Sequence, residues 1–358
     1  MFLRPIVIGC PSIAQKGDLS NAELVQRLGG NSGNMLFTEA ILRNIDRSSF
    51  YHGGHLPDDA DGIIIAAANW MNPGDDFSAL ASLIEATDLP AAIIGIGAQS
   101  SVRKEMPRVE PGTIRLMKIV SERSKVISTR GPFSCEVLEF YGIKNSIPTG
   151  CPSLLMCGPS GPTVRSRALG RGIVMHGTRH ADNIPIDFQS YIYNQAYKLK
   201  ADILLQSETT DLEIAYGRAP YDIPGQSAHI AGVTYRTENY PNLVNYLRNK
   251  AAFFHNLDEW IEYAKSKEFF VGTRIHGTVA ALIAGTPALL IAHDSRTIEL
   301  AQTMGIPYIS SEKIDVSKDL DISALFELCC GYNFPRYKFY RDGFRSFFEA
   351  NAIPFNWN

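Results

Sequence analysis

The chain has 358 residues, 45% of them hydrophobic and 20% charged, with a formal net charge of −3. These values are ordinary for a globular protein, and the length implies two domains rather than one. A weakly acidic total with scattered Lys and Arg, and no basic stripe, argues against a nucleic-acid partner.

An apolar run, PIVIGC (5–10), opens the chain with one Arg before it and no small-residue cleavage site. It reads as a first strand rather than a signal peptide. The segment PSIAQKGDLSNAELVQRLGG (11–30) separates it from a glycine-rich turn and a helical pattern, NMLFTEAILRNI (34–45). Apolar runs then recur as DGIIIAAA (61–68), PAAIIGIGA (90–98) and SKVISTR (124–130), bounded by Asp, Pro, Gly or Ser. Continuous runs of this kind are what a parallel strand covered on both faces requires. Helical patterns at 75–87 and 112–123 lie between them. Strands alternating with helices predict an α/β fold with a parallel sheet.

CGPSGPTVRSRALGRG (157–172) interrupts the rhythm and reads as a linker. The alternation resumes with GIVMHG (172–177), ADILLQS (201–207), AAFFHN (251–256), EFFVGT (268–273) and PALLIAH (287–293). Two helices around residues 331–335 close the chain. The expected organisation is a Rossmann-like half over 1–160, a linker over 161–172, a second Rossmann-like half over 173–325 and a helical segment over 326–358. Two such halves would face a cleft, with ligands at the carboxyl ends of the strands.

Cys10, Cys135, Cys151, Cys157, Cys329 and Cys330 form no Cys-x-x-Cys pair, and no His spacing suggests zinc. They read as reduced thiols of a cytosolic protein. The longest apolar stretch, 279–292, is too short to span a membrane and is broken by Gly285 and Pro287.

Four constellations fall at strand ends. In VGTRIHG, residues two apart on an extended chain share a side, so Arg274 and His276 would both project into the cleft. Gly277 and Thr278 would open a helix whose free N–H groups favour an anion. Arg274 adds a bidentate fork for carboxylate or phosphate, and His276 can exchange a proton near neutral pH. The competing reading is an Arg paired with a surface carboxylate and a His that caps a helix. STRGPFSCEVLEFYG (128–142) repeats the form, with Arg130 over a second helix start. A structural salt bridge is its alternative. The third is GGNSGN, in which Asn31, Gly33 and Asn34 precede a helix and could cap it or approach a phosphate. It matches neither nucleotide-loop pattern, and GIGAQS (95–100) lacks the third glycine of a dinucleotide fingerprint, so NAD is not expected. The fourth, AHDSRTIEL, places Asp294 and Arg296 in a turn after a strand and Glu299 on the following helix. Asp294 could simply cap that helix. His176 and His180 also flank a strand end and could line the cleft.

Together these residues resemble the polysaccharide pyruvyl transferase family. VGTRIHGTVAALIAGTPALLIAHDSRTIELAQTMGIP (271–307) is similar to its Gly-x-Arg-x-His-Gly block. STRGPFSCEVLEFYGIKNSIPTGCPSLL (128–155) resembles its Arg-Gly helix and Gly-Cys-Pro turn, and GNSGNMLFTEAI its N-terminal Asn-x-Gly-Asp element. Asn34 stands where an Asp is common.

The resemblance implies a fold like the GT-B glycosyltransferases. It also implies transfer of a pyruvyl group from phosphoenolpyruvate to two hydroxyls of a sugar, as a ketal, with release of phosphate. Arg130, Arg274 and the helix starts would supply the positive charge, so no metal or organic cofactor is expected. His276 would be the general acid. The expected partners are phosphoenolpyruvate and a free or lipid-linked glycan, without nucleic acid or a membrane span. A homo-oligomer is compatible, as is a cytoplasmic protein peripheral to the inner face of a membrane. A nucleotide-sugar glycosyltransferase, with Glu299 on a ribose and Arg274 on a diphosphate, is the main alternative. A non-catalytic carbohydrate-binding protein is a further one. Acceptor specificity is expected from the loops at 51–59, 100–111 and 178–185.

Overall fold

The computed structural model describes residues 2–99, 105–165, 168–178, 187–217 and 229–357. In the first half, β1 (Pro5–Ile8), β2 (Ser49–Phe50), β3 (Gly62–Ala66) and β4 (Ala91–Ile94) form a parallel sheet in the order β2-β1-β3-β4. β5 (Ile127–Thr129) and β6 (Ser146–Pro148) pair in parallel and extend it. Ile96 bridges Thr129, and the amides of Gly95 and Ile96 both donate to Ser128 O. In the second half, β7 (Ile173–His176), β8 (Asp202–Leu204), β9 (Ala251–Ala252), β10 (Phe269–Gly272), β11 (Ala288–Ala292) and β12 (Tyr308–Ser310) run in the order β12-β11-β10-β7-β8-β9. Counted from β7, that is the 3-2-1-4-5-6 order of the Rossmann fold.

The strands form where the runs are apolar and rich in β-branched or small residues. GIIIA, AAII, FFVG and ALLIA of β3, β4, β10 and β11 are buried along their whole length, as helices on both faces require. Helix starts follow local chemistry. Ser20 and Glu23 form a reciprocal capping box on Asn21–Arg27, and Asn256 accepts from the amides of Asp258 and Glu259 on Leu257–Lys265.

Several boundaries differ from expectation. The helix expected over 75–87 spans Ser78–Glu85, because Asp76 Oδ1 accepts from Ser78 N and holds the preceding residues as a turn. The strand expected over 251–256 stops at Ala252, since Asn256 is already the cap of the next helix. Gly277 and Thr278 do not begin a helix: it spans Ile275–Ile283, with Arg274 as its cap residue.

The two halves share one apolar core. Helix Asn34–Asn44 packs on the 3-10 turn Pro152–Cys157 and on helix Ile275–Ile283. Leu36, Phe37, Leu154 and Val279 belong to a single buried cluster there. The last helix, Tyr337–Ala350, returns to the first sheet. Behind it, Asn351 Oδ1 accepts from Lys125 N and its Nδ2 donates to Val126 O. The layout is therefore GT-B-like: two parallel Rossmann-like sheets face one cleft, and a terminal helix crosses back. Among the described residues, no helix is long and apolar enough to cross a membrane.

Candidate active site

Each sheet reverses its winding at one place, between β1 and β3 in the first half and between β7 and β10 in the second. Such points leave a crevice beyond the strand ends. Both crevices open on one cavity of about 610 Å³. Gly9, Cys10 and Asn69 line it from the first half, and Thr178, Thr273 and Arg274 from the second.

His276 lines this cavity and is 6% exposed. It lies in the first turn of helix Ile275–Ile283, so the persisting strand expected to set Arg274 and His276 on one side is absent, although both line the cavity. Its Nε2 is 3.5 Å from Cys151 Sγ, and its ring is 5.5 Å from that of Phe37. On the other side it is met by backbone. A Cβ on Gly33 would lie 2.6 Å from His276 Nδ1, so only glycine permits this approach. Burial, followed by the charges of Arg130, Arg274 and Arg296, holds the His276 pKa well below its ordinary value. The imidazole is neutral at pH 7 in the free protein.

The arginines differ from one another. Arg274 is buried, and its fork is already engaged. Nε donates to Gly177 O at 2.7 Å, while Nη2 bonds Ser207 Oγ and forms an ion pair with the fully buried carboxylate of Glu208. The open bidentate fork expected at Arg274 is thus corrected: an internal carboxylate occupies it. Arg296 lines the cavity but is paired with Asp294 Oδ2 at 3.2 Å. Arg130 stands apart. It is 5% exposed, donates to Gly95 O and to Asn69 Oδ1, and lies over the ring of Phe37. No carboxylate pairs with it among the described residues. Burial pushes its pKa down to about 10, with a smaller contribution of the same sign from Arg296. It stays cationic at pH 7, an uncompensated charge on the cavity wall.

The helix starts also divide. The start behind Arg130 is filled by the protein itself, because Glu299 Oε1 accepts from Phe133 N. Gly131 makes room for that carboxylate, since a Cβ there would sit 2.2 Å from Glu299 Cγ. The anion expected at this turn is therefore Glu299, and Glu299 does not line the cavity. The start of Ile275–Ile283 has no side-chain cap, and Ile275 and His276 line the cavity.

Of the remaining expected residues, Asn31 and Asn34 line the cavity. Asn31 Oδ1 accepts from Gly33 N, and Asn34 Nδ2 donates to Leu28 O and Gly29 O. Gly33 backs His276 without lining the cavity. Gly277 packs on His176, and Thr278 is buried behind it. Asp294 caps helix Ser295–Met304 by accepting from Thr297 N. His176 does not reach the cavity. It lies fully buried beneath it, Nδ1 accepting from Arg274 N, and burial and Arg274 depress its pKa to about 3. His180 lies outside the described residues.

Residues that the sequence reading missed support or complete the wall. Glu208 holds Arg274, and Cys151 touches His276. The stretch after β3, with Asn69, Trp70, Asn72, Asp75 and Phe77, lines the cavity on the side of Arg130. Its place at the end of a parallel strand was the available signal. Of the loops expected to face the acceptor, 51–59 contributes no lining residue and 178–185 contributes Thr178, its other residues lying outside the described ones.

Among the described residues, fold and site define an α/β protein with a cavity at paired switch points, walled by the unpaired Arg130 and the neutral His276. The sequence profile of the polysaccharide pyruvyl transferase family matches residues 17–295, and the chain belongs to that family. No curated protein gave a sequence match. Among solved structures, a functionally uncharacterised protein from Klebsiella pneumoniae is similar at 10% identity and a TM-score of 0.37, over 84% of this chain and 88% of that one. UDP-N-acetylglucosamine 2-epimerase from Rickettsia bellii is similar at 10% identity and a TM-score of 0.39, over 98% of each chain. A calicheamicin glycosyltransferase is similar at 12% identity and a TM-score of 0.32, over 95% and 81%.

Proposed function

We propose that this protein transfers a pyruvyl group from phosphoenolpyruvate to two hydroxyls of one sugar, in a polysaccharide or its precursor. The observation that carries this reading is Arg130: a buried guanidinium, unpaired among the described residues, sharing a cavity with a neutral histidine. Phosphoenolpyruvate brings a phosphate and a carboxylate on one carbon. Arg130 and the uncapped helix start at Ile275 suit those anions. Arg274 and Arg296, already paired, add positive potential around His276. No metal or organic cofactor is invoked.

The chemistry follows from the donor. Binding of its anions offsets the arginine field and raises the His276 pKa, so the acid form appears with the donor. His276 gives its proton to the donor methylene, which becomes a methyl group and leaves a cationic centre at C2. A sugar hydroxyl adds there, and His276 regains the proton that this hydroxyl loses. The C2–O bond to phosphate then breaks. A second hydroxyl closes the ketal on C2, and its proton leaves with the phosphate. One hydroxyl proton thus ends on the methyl group and the other on phosphate. The nucleotide-sugar alternative is less supported, because the carboxylate it needs for ribose, Glu299, lies off the cavity and holds Phe133 N.

The test is phosphate release from phosphoenolpyruvate across free and lipid-linked glycans, with thermal stabilisation as a separate measure of donor binding. His276→Ala should lower turnover about a hundredfold to ten-thousandfold while keeping the stabilisation. Near-normal turnover of that variant would exclude His276 as the acid. Stabilisation by nucleotide sugars but not by phosphoenolpyruvate would overturn the reading.

A further inference from the structure

The stretch 69–77 is a preorganised wall for which donor binding has no use. Trp70 and Phe77 both line the cavity and stack on each other, with ring centroids 4.0 Å apart and planes at 26°. Between them in sequence lies Asp75, also on the cavity wall. Backbone pins the segment: Met71 bridges Ala98, Met71 N donates to Gly97 O, and Thr113 Oγ1 donates to Asp75 O. Asn72 shapes it from within, its Nδ2 donating to Asn69 O and Asp75 Oδ2, both at 2.6 Å. Two polar groups are left over. Among the described residues, the Trp70 indole N–H has no acceptor, and Asp75 Oδ1 has neither a donor nor a cation beside it.

We propose that this wall is the acceptor subsite, and that it takes one pyranose ring, its C–H face on the Trp70–Phe77 pair and its hydroxyls on Asp75 and the indole N–H. The inference rests on the pyruvyl-transfer reading. An apolar face flanked by one acceptor and one donor matches a pyranose, which carries C–H bonds on its faces and hydroxyls around its rim. Charge sorts the two substrates. An unpaired carboxylate repels a donor that carries both a phosphate and a carboxylate and accepts from a neutral sugar, while Arg130 does the opposite. The two subsites adjoin, because Asn69, the neighbour of Trp70 in the chain, accepts from Arg130 Nη1. A sugar on this wall therefore lies beside the donor, as attack on C2 requires.

Tryptophan fluorescence tests this, because Trp260 is fully buried and Trp357 packs on Phe348 and Phe355, away from the cavity lining. With phosphoenolpyruvate present, methyl glycosides of galactose, mannose and N-acetylglucosamine are titrated into the full-length protein. At least one should change the emission. The change should vanish in Trp70→Phe, and half-saturation should rise about tenfold in Asp75→Asn, as loss of a hydrogen bond to a charged group predicts. Stabilisation by phosphoenolpyruvate should be the same in Trp70→Phe as in the unaltered protein, and undiminished or greater in Asp75→Asn, which removes the repelling charge. No response to any glycoside, an unaltered response in both variants, or a response to uridine diphosphate in place of the glycosides would each overturn the inference. A glycoside response that needs Trp70, in a protein that phosphoenolpyruvate does not stabilise and that releases no phosphate from it, would sink the pyruvyl-transfer reading and leave the sugar wall standing.

Discussion

The carboxylate of Glu208 is wholly buried and paired with the guanidinium of Arg274, the residue that caps the helix bearing His276. Glu208 is itself fastened, accepting from Gln206 N at 2.7 Å and Ser207 N at 3.0 Å. The pair ties the end of β8 to the end of β10 and so fixes the start of the helix. Replacing Glu208 with Gln strands a buried cation. Breaking such a pair from one side costs about 3–5 kcal/mol, so urea denaturation of Glu208→Gln should show a loss of that size. A change under about 1 kcal/mol would mean that the pair does not hold the helix start.

Arg130 has the opposite character, a charge without a counter-ion among the described residues. Arg130→Lys keeps the charge but loses the planar fork, and Arg130→Ala loses both. Charge-assisted hydrogen bonds contribute about 1.5–3 kcal/mol, so phosphoenolpyruvate affinity should fall about tenfold to a hundredfold in Arg130→Ala and less in Arg130→Lys. Calorimetric titration reads this directly. Equal affinity in all three proteins would remove Arg130 from the donor site.

The buried histidines make stability pH-dependent. The pKa values of His276, His176 and His293 are all depressed in the folded protein, in each case first by burial. Below the unfolded histidine pKa of about 6.5, the unfolded chain binds protons that the folded chain refuses. Falling pH therefore favours unfolding, from about pH 6.5 down to each folded pKa, by up to about 1.4 kcal/mol per pH unit for each histidine. Unfolding free energies between pH 8 and pH 5 should show this slope, and His276→Asn should reduce it by one proton. Phosphoenolpyruvate should reduce it as well, because the bound anions let His276 protonate in the folded state. A slope unchanged by either would show that His276 is not held neutral.

Asn34 offers a sharper case of one atom's chemistry. Its Nδ2 donates to two carbonyls, Leu28 O and Gly29 O. Aspartate, its isosteric acid, has no such donor when ionised. Asn34→Asp would set a carboxylate against two carbonyls and add an anion to the cavity wall. A loss of about 1–3 kcal/mol together with weaker phosphoenolpyruvate binding is expected. Unchanged stability would mean that the turn does not depend on these two bonds.

The strands and the two Thr-Arg turns were legible in the sequence because they rest on local signals. Buried parallel strands announce themselves as unbroken apolar runs, as in GIIIA and ALLIA, and the residues after them fall at strand ends whatever the topology. Arg130, Arg274 and His276 could therefore be named as candidates. Their states could not, because these depend on partners distant in the chain. Glu208, which fills the fork of Arg274, lies 66 residues away from it. Glu299, which fills the helix start behind Arg130, lies 166 residues from Phe133. Asp75 and Trp70 sit in a polar turn with no motif, and only the meeting of two sheet ends makes that turn a wall. Sequence alone determined which elements form and where chemistry could sit, since hydrophobic period and turn residues act over a few positions. The tertiary structure decided which charges are spent internally and which face the cavity, because a buried charge takes its state from whichever group the fold brings within a few ångströms.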